Sequence, residues 1–146
     1  MPITKKQVNS LNKSKEILLV KEKNKILLTT EWAKRFPSEA GVCVFFEGGK
    51  IVYVGETGSI AKRMKNLIYT REHILRKKIA LNHFSGLKGY EKGSNKYTVG
   101  IEAKINDFLI NRIEFSYLLI DKDRKDLKKL VMKEYRPKYN SKRKLN

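Results

Sequence analysis

Tyr53 ends an apolar run directly before Val54-Gly55, and Arg63 follows ten residues later. A tyrosine beside a glycine leaves room for a ligand to approach the backbone, and an arginine on the next element can hold a phosphate through two parallel hydrogen bonds. Tyrosine is also a common packing residue in strands, so this pair alone identifies nothing. Around it the basic residues crowd. Between Lys62 and Lys78 lie Lys62, Arg63, Lys65, Arg71, Arg76, Lys77 and Lys78, against a single acid, Glu72. The C-terminal stretch repeats the pattern with Lys133, Arg136, Lys138, Lys142, Arg143 and Lys144. His73 and Arg76 sit together in the first of these segments as a candidate extra base and a phosphate contact. A histidine that merely faces solvent or ligand is an equal reading of His73. Cys43 is the only cysteine, which excludes an intramolecular disulfide and a cysteine-rich zinc site.

The whole chain carries the same bias. Its 146 residues include 33 Lys and Arg against 15 Asp and Glu, a net charge of +18. A single lysine is best read as solvated, but an excess this large is not a balanced solubility surface. It points to a polyanionic partner, and nucleic acid is the commonest one. A hydrophobic content of 40% rules out a disordered basic tail. No apolar run approaches a membrane span, and the opening MPITKKQVNS has no apolar core of a secretory signal. The length suits one domain, and the expected location is cytoplasmic.

The elements that must hold these residues follow from pattern. Val42 to Phe46 and Ile51 to Val54 read as two strands joined through Gly48-Gly49, a pair suited to a tight hairpin. Thr57-Gly58-Ser59 opens a helix with Ile60, Met64, Leu67 and Ile68 on one stripe. Ile74, Leu75, Ile79 and Phe84 mark a second helix, and glycines 86, 89 and 93 a loop. Val99 to Ile110 predicts a third helix, and Phe115 to Ile120 a third strand. Asp123, with Asp126 three residues on, is expected to cap a last helix whose inner face is Leu127, Leu130, Val131 and Tyr135. Arg136-Pro137 ends it. Residues 1–40 look least regular, an N-terminal extension packed on the domain, with one helix start at Thr30-Glu31-Trp32 and Thr30 as its cap. The expected fold is α+β, a small three-stranded antiparallel sheet flanked by helices.

Taken together, Gly41-Val42-Cys43, Tyr53-Val54-Gly55, Arg63 and Pro137-Lys138-Tyr139-Asn140 resemble the GIY-YIG nuclease family. The match covers residues 41–140, about two thirds of the chain, followed by a basic tail at 141–146. The resemblance implies a three-stranded antiparallel sheet with helices and hydrolysis of phosphodiesters with Mg2+ or Mn2+. It implies that Tyr53 helps activate water, that Arg63 stabilises the transition state and that Asn140 supports the site. His73 is carried over more loosely. Lys62, Lys65, Arg71, Arg76, Lys77, Lys128, Arg136 and Lys138 become candidate nucleic-acid contacts, and DNA the expected partner. The resemblance leaves the oligomeric state open, a homodimer included.

Two positions depart from the family pattern. Cys43 stands where the family has its first tyrosine, and a cysteine is shorter and most often a small core residue. The family's metal-binding glutamate lies twelve residues before the asparagine, and that position is Lys128. On a helix Asp126 points about 200° and Glu134 about 120° away from Lys128, so neither carboxylate replaces it in place. An ammonium group cannot ligate Mg2+, though its charge can oppose a phosphate. Two readings therefore stand: a metal-dependent endonuclease, or a catalytically inactive DNA-binding descendant of one. A basic RNA- or ribosome-associated protein is a weaker third, since no stacking motif supports it.

Overall fold

The computed structural model describes residues 4–141. Its sheet is antiparallel throughout, in the order β1-β4-β2-β3, with β1 Asn24–Lys25, β2 Gly41–Glu47, β3 Lys50–Thr57 and β4 Ile113–Leu119. The expected three strands form its body. A fourth, the two-residue β1, adds to the edge of β4, with Asn24 opposite Phe115 and Lys25 opposite Glu114.

The hairpin turns where glycine permits it. Gly48 and Gly49 adopt φ of +58° and +81°, which favours a tight turn whose twist matches the two strands. Gly41 is fixed by packing, because a Cβ there would collide with the Leu118 carbonyl oxygen and with Ile60 Cδ1. Within the hairpin the register slips between Phe45, opposite Tyr53, and Phe46, opposite Ile51. Val52 is the extra residue of this bulge. As a result Val52 and Tyr53 share one apolar cluster, while Ile51 and Val54 join the other.

Each face of the sheet has its own helices. Cys43, Phe45, Tyr53 and Phe115 pack with α3 (Ile60–Asn66), α4 (Ile74–Phe84) and α5 (Val99–Arg112), through Ile60, Met64, Leu67, Leu75, Ile79, Ile105 and Leu109. The short α2 (Thr30–Ala33) adds Trp32, whose indole N–H donates to the Lys25 carbonyl at 3.1 Å. On the opposite face Val42, Val44 and Val54 meet Leu11 and Leu18 of α1 (Lys5–Val20) and Leu127 and Val131 of α6 (Arg124–Tyr135). Burying each of these aliphatic side chains contributes about 1.5–3 kcal/mol.

Several local expectations need correction. The supposedly irregular start is the sixteen-residue α1, opened by a capping box in which Thr4 and Gln7 bond each other's backbone N–H. The cap of α2 is Thr29, not Thr30, its hydroxyl accepting from the Trp32 N–H at 3.1 Å. Asp123 makes no side-chain cap, because its backbone is left-handed at φ +70°. Arg124 anchors that end instead, bonding Glu56 at 2.7 Å and also Asp121. Tyr135 is 44% exposed and so lies outside the inner face of α6. Arg136 terminates α6 at φ +44°, and a short 3-10 turn, Lys138–Asn140, follows. Lys142, Arg143 and Lys144, expected in the basic tail, lie outside the described residues.

Candidate nucleic-acid interface

Three of the residues singled out from the sequence come together on the α3 face of the sheet, and Cys43 joins them. Cys43 and Tyr53 project from β2 and β3, Arg63 from α3, and His73 forms the N-cap of α4. Tyr53 and His73 have ring centroids 5.8 Å apart, and Phe45 packs edge-on to His73 at 6.2 Å. Gly55 makes the space for this arrangement, since a Cβ there would press on Tyr53 Cε2 at 3.2 Å. Arg63 is the hub. Its charge acts on Tyr53, Cys43 and His73.

The electrostatics fix the protonation of each member. Burial pushes the Cys43 thiol up to about 12, against the pull of Arg63, so it stays a neutral thiol. Burial also raises the Tyr53 phenol, which Arg63 only partly offsets, so Tyr53 keeps its proton at neutral pH. His73 is held well below its ordinary value by burial, then by the charges of Arg63 and Arg76. Its Nδ1 accepts the Leu75 N–H at 3.2 Å, which leaves the proton of the neutral ring on Nε2. That Nε2 is buried and has no hydrogen-bond partner among the described residues. The cluster therefore joins the Arg63 guanidinium to a phenol O–H and an imidazole N–H that both lie in the interior. Among these groups there is no carboxylate, and the one unprotonated ring nitrogen, His73 Nδ1, is already spent on the Leu75 N–H.

Asn140 supports the cluster from behind. Its side-chain oxygen accepts the Val54 N–H at 2.7 Å, and its amide nitrogen donates to the Val54 carbonyl at 2.9 Å. Both ends of the amide are spent on the backbone beside Tyr53, so Asn140 positions the strand across 86 residues of chain.

The candidate cations divide. Lys62 and Lys65 are exposed on α3, and with Lys34 of the α2 end they line a groove of about 610 Å3. Lys34 carries no motif signal, and only the packing of α2 beside α3 reveals it. Arg71 is exposed and only 3.7 Å from Glu72. Arg76 is the clear correction: it is 1% exposed and committed internally. It donates to Thr70 Oγ1 at 3.1 Å, the Leu67 carbonyl at 3.3 Å and Glu102 Oε1 at 2.8 Å. Lys77 binds Asn95 Oδ1 at 2.6 Å, and Lys138 lies 3.6 Å from Glu47. Lys128 and Arg136 belong to the α6 side of the molecule, Lys128 half-buried and Arg136 exposed at the helix end.

A divalent cation, as the family resemblance implies, does not fit these residues. Mg2+ requires oxygen ligands, at least one of them normally a carboxylate. The position twelve residues before Asn140 is Lys128. Glu56, the acid nearest Tyr53 in sequence, is bonded to Arg124 of α6 at 2.7 Å, on the other side of the sheet. Among the described residues no three His, Cys, Asp or Glu side chains cluster.

By sequence, no family model matches the chain and no curated protein is similar to it. Among solved structures it is similar to the GIY-YIG N-terminal endonuclease domain of UvrC from Thermotoga maritima. A point mutant of that domain bound to its catalytic divalent cation is 19% identical, with 77% of this chain and 93% of that one covered at a TM-score of 0.44. The same domain bound to magnesium is 19% identical, with 76% and 98% covered at a TM-score of 0.40.

Proposed function

We propose that this chain is a DNA-binding domain of GIY-YIG type that grips the phosphodiester backbone at the Arg63 cluster and does not hydrolyse it. One observation carries the reading. The groups gathered at Arg63 include no carboxylate to hold a metal, and the one basic nitrogen, Nδ1 of the buried neutral His73, already accepts the Leu75 N–H at 3.2 Å. Arg63 would meet a phosphate oxygen directly, with the buried Tyr53 and His73 packed behind it. Lys62, Lys65 and Lys34 extend the positive surface along which a strand would run. No transmembrane-length apolar helix occurs among the described residues.

A metal-dependent endonuclease is the second reading, favoured by the Arg63 charge acting on the Tyr53 phenol beside a glycine-cleared strand end. One experiment separates the two. The protein is incubated with supercoiled plasmid and Mg2+ or Mn2+, beside an EDTA control, while gel shifts measure binding across a salt series. The binding reading expects affinity that falls linearly with salt on logarithmic axes, loss of affinity in Arg63→Ala, and no nicking. The double variant Cys43→Tyr with Lys128→Glu restores the phenol and the carboxylate of the family pattern, and nicking confined to it, with metal, fits the same reading. Metal-dependent nicking by the unaltered protein would overturn the proposal in favour of the enzyme.

A further inference from the structure

One surface cavity is not used by the reading above. It measures about 630 Å3 and opens just past the end of α3, bounded by residues 68–72, by Asn95 and Lys96, and by Glu102 and Asn106 on α5. That volume lies within the range of about 300–1,000 Å3 typical of small-ligand sites. Its floor is closed chemistry. Arg76, Thr70 and Glu102 satisfy one another, and the second Glu102 oxygen accepts the Tyr97 N–H at 3.0 Å. Such a floor is rigid and has nothing left to offer a ligand.

The rim is the opposite. Tyr69 is 47% exposed, so its ring is open for contact. Among the described residues the Tyr69 hydroxyl, the Asn106 amide and the Lys96 ammonium make no hydrogen bond or ion pair. Arg71 is near only Glu72, at 3.7 Å. The groups at this rim are thus a flat aromatic face, an amide with both donor and acceptor, the Lys96 ammonium, and Arg71 beside the exposed Glu72. These are the parts that recognise a flat heterocycle bearing a phosphate.

We infer that this cavity takes one nucleotide of a nucleic-acid strand, its base stacked on Tyr69 with an edge read by Asn106, its phosphate held by Arg71 and Lys96. The inference rests on the proposed nucleic-acid binding and adds a base-accepting subsite to it. Continuity favours a strand over a free nucleotide, because the cavity begins at Ile68, just over one helical turn beyond Arg63. A base inside a duplex cannot reach such a cavity without leaving its stack, so single-stranded or unpaired positions bind best.

The test uses a single-stranded oligonucleotide with one 2-aminopurine, the matching duplex, and a free mononucleotide. The parent protein is expected to quench the 2-aminopurine of the single strand more than that of the duplex, and to bind the mononucleotide far more weakly. Tyr69→Ala is expected to abolish the quenching and lower affinity at least about fivefold, while Tyr69→Phe keeps both. Circular dichroism confirms that each variant is folded. Quenching and affinity unchanged in Tyr69→Ala, while Arg63→Ala still weakens binding, would overturn the subsite and leave the proposed function standing. A mononucleotide bound as tightly as the strand would overturn its assignment to a strand. Failure to bind any oligonucleotide at low salt would overturn the proposed function and the subsite with it.

Discussion

Replacing Arg76 by methionine separates a structural cation from a phosphate contact. Methionine keeps much of the apolar stem and removes the guanidinium, with its donations to Thr70, the Leu67 carbonyl and Glu102. Glu102 would remain in place with only the Thr70 hydroxyl and the Tyr97 N–H. In the parent, burial would raise the Glu102 carboxyl, but hydrogen bonds from Thr70, Tyr97 and Arg76 hold it below the ordinary carboxylate range. Removing one partner of a buried ion pair costs about 3–5 kcal/mol. The Glu102 side chain is 22% exposed, so water relieves part of that penalty and the lower end, about 3 kcal/mol, applies. For a domain of about 150 residues this lowers Tm by roughly 10 °C. Urea unfolding followed by circular dichroism measures the loss directly. Adding Glu102→Leu removes the stranded carboxylate, and the double variant should recover at least about 1 kcal/mol relative to the sum of the single changes. Affinity for DNA, measured where the variant is folded, should match the parent. An Arg76→Met protein that unfolds at the parent's midpoint yet loses DNA affinity would refute the assignment of Arg76 to the fold.

Asn140→Ala removes both bonds to Val54 and should cost about 1–3 kcal/mol, with faster hydrogen exchange at the Val54 amide as its local signature. The depressed His73 value carries a definite sign. The unfolded chain takes up a proton as pH falls through about 6.5 while the folded chain does not, so stability drops toward acid by up to about 1.4 kcal/mol per pH unit. His73→Gln should flatten the urea midpoint between about pH 7 and pH 5, and an unchanged slope would count against the buried neutral imidazole. Cys43, buried with its thiol raised to about 12, should resist alkylation in the folded protein and react readily once unfolded. Rapid native-state modification would contradict its place in the core.

The hairpin, the helix stripe through Ile60, Met64 and Leu67, and the joint presence of Tyr53, Arg63 and Asn140 were legible in the chain itself. Glycine pairs and apolar spacing act over a few residues, and their physics is local. The α1 helix was not legible, because its Lys- and Asn-rich surface hides an inner face that needs only Leu11 and Leu18 to dock. The bulge at Val52 was also invisible, though it decides which face receives Tyr53. So was the bonding partner of Asn140, the Val54 backbone 86 residues away. The charges show the division most plainly. Composition alone established an excess of cations, and residue type made Arg76 look the equal of Arg63. Only the packed molecule separates them: Arg76 finds Glu102 and Thr70 in the interior, while Arg63 ends among groups that carry no negative charge. A cation's availability depends on which anion lies within a few ångströms, and that distance is set by the fold.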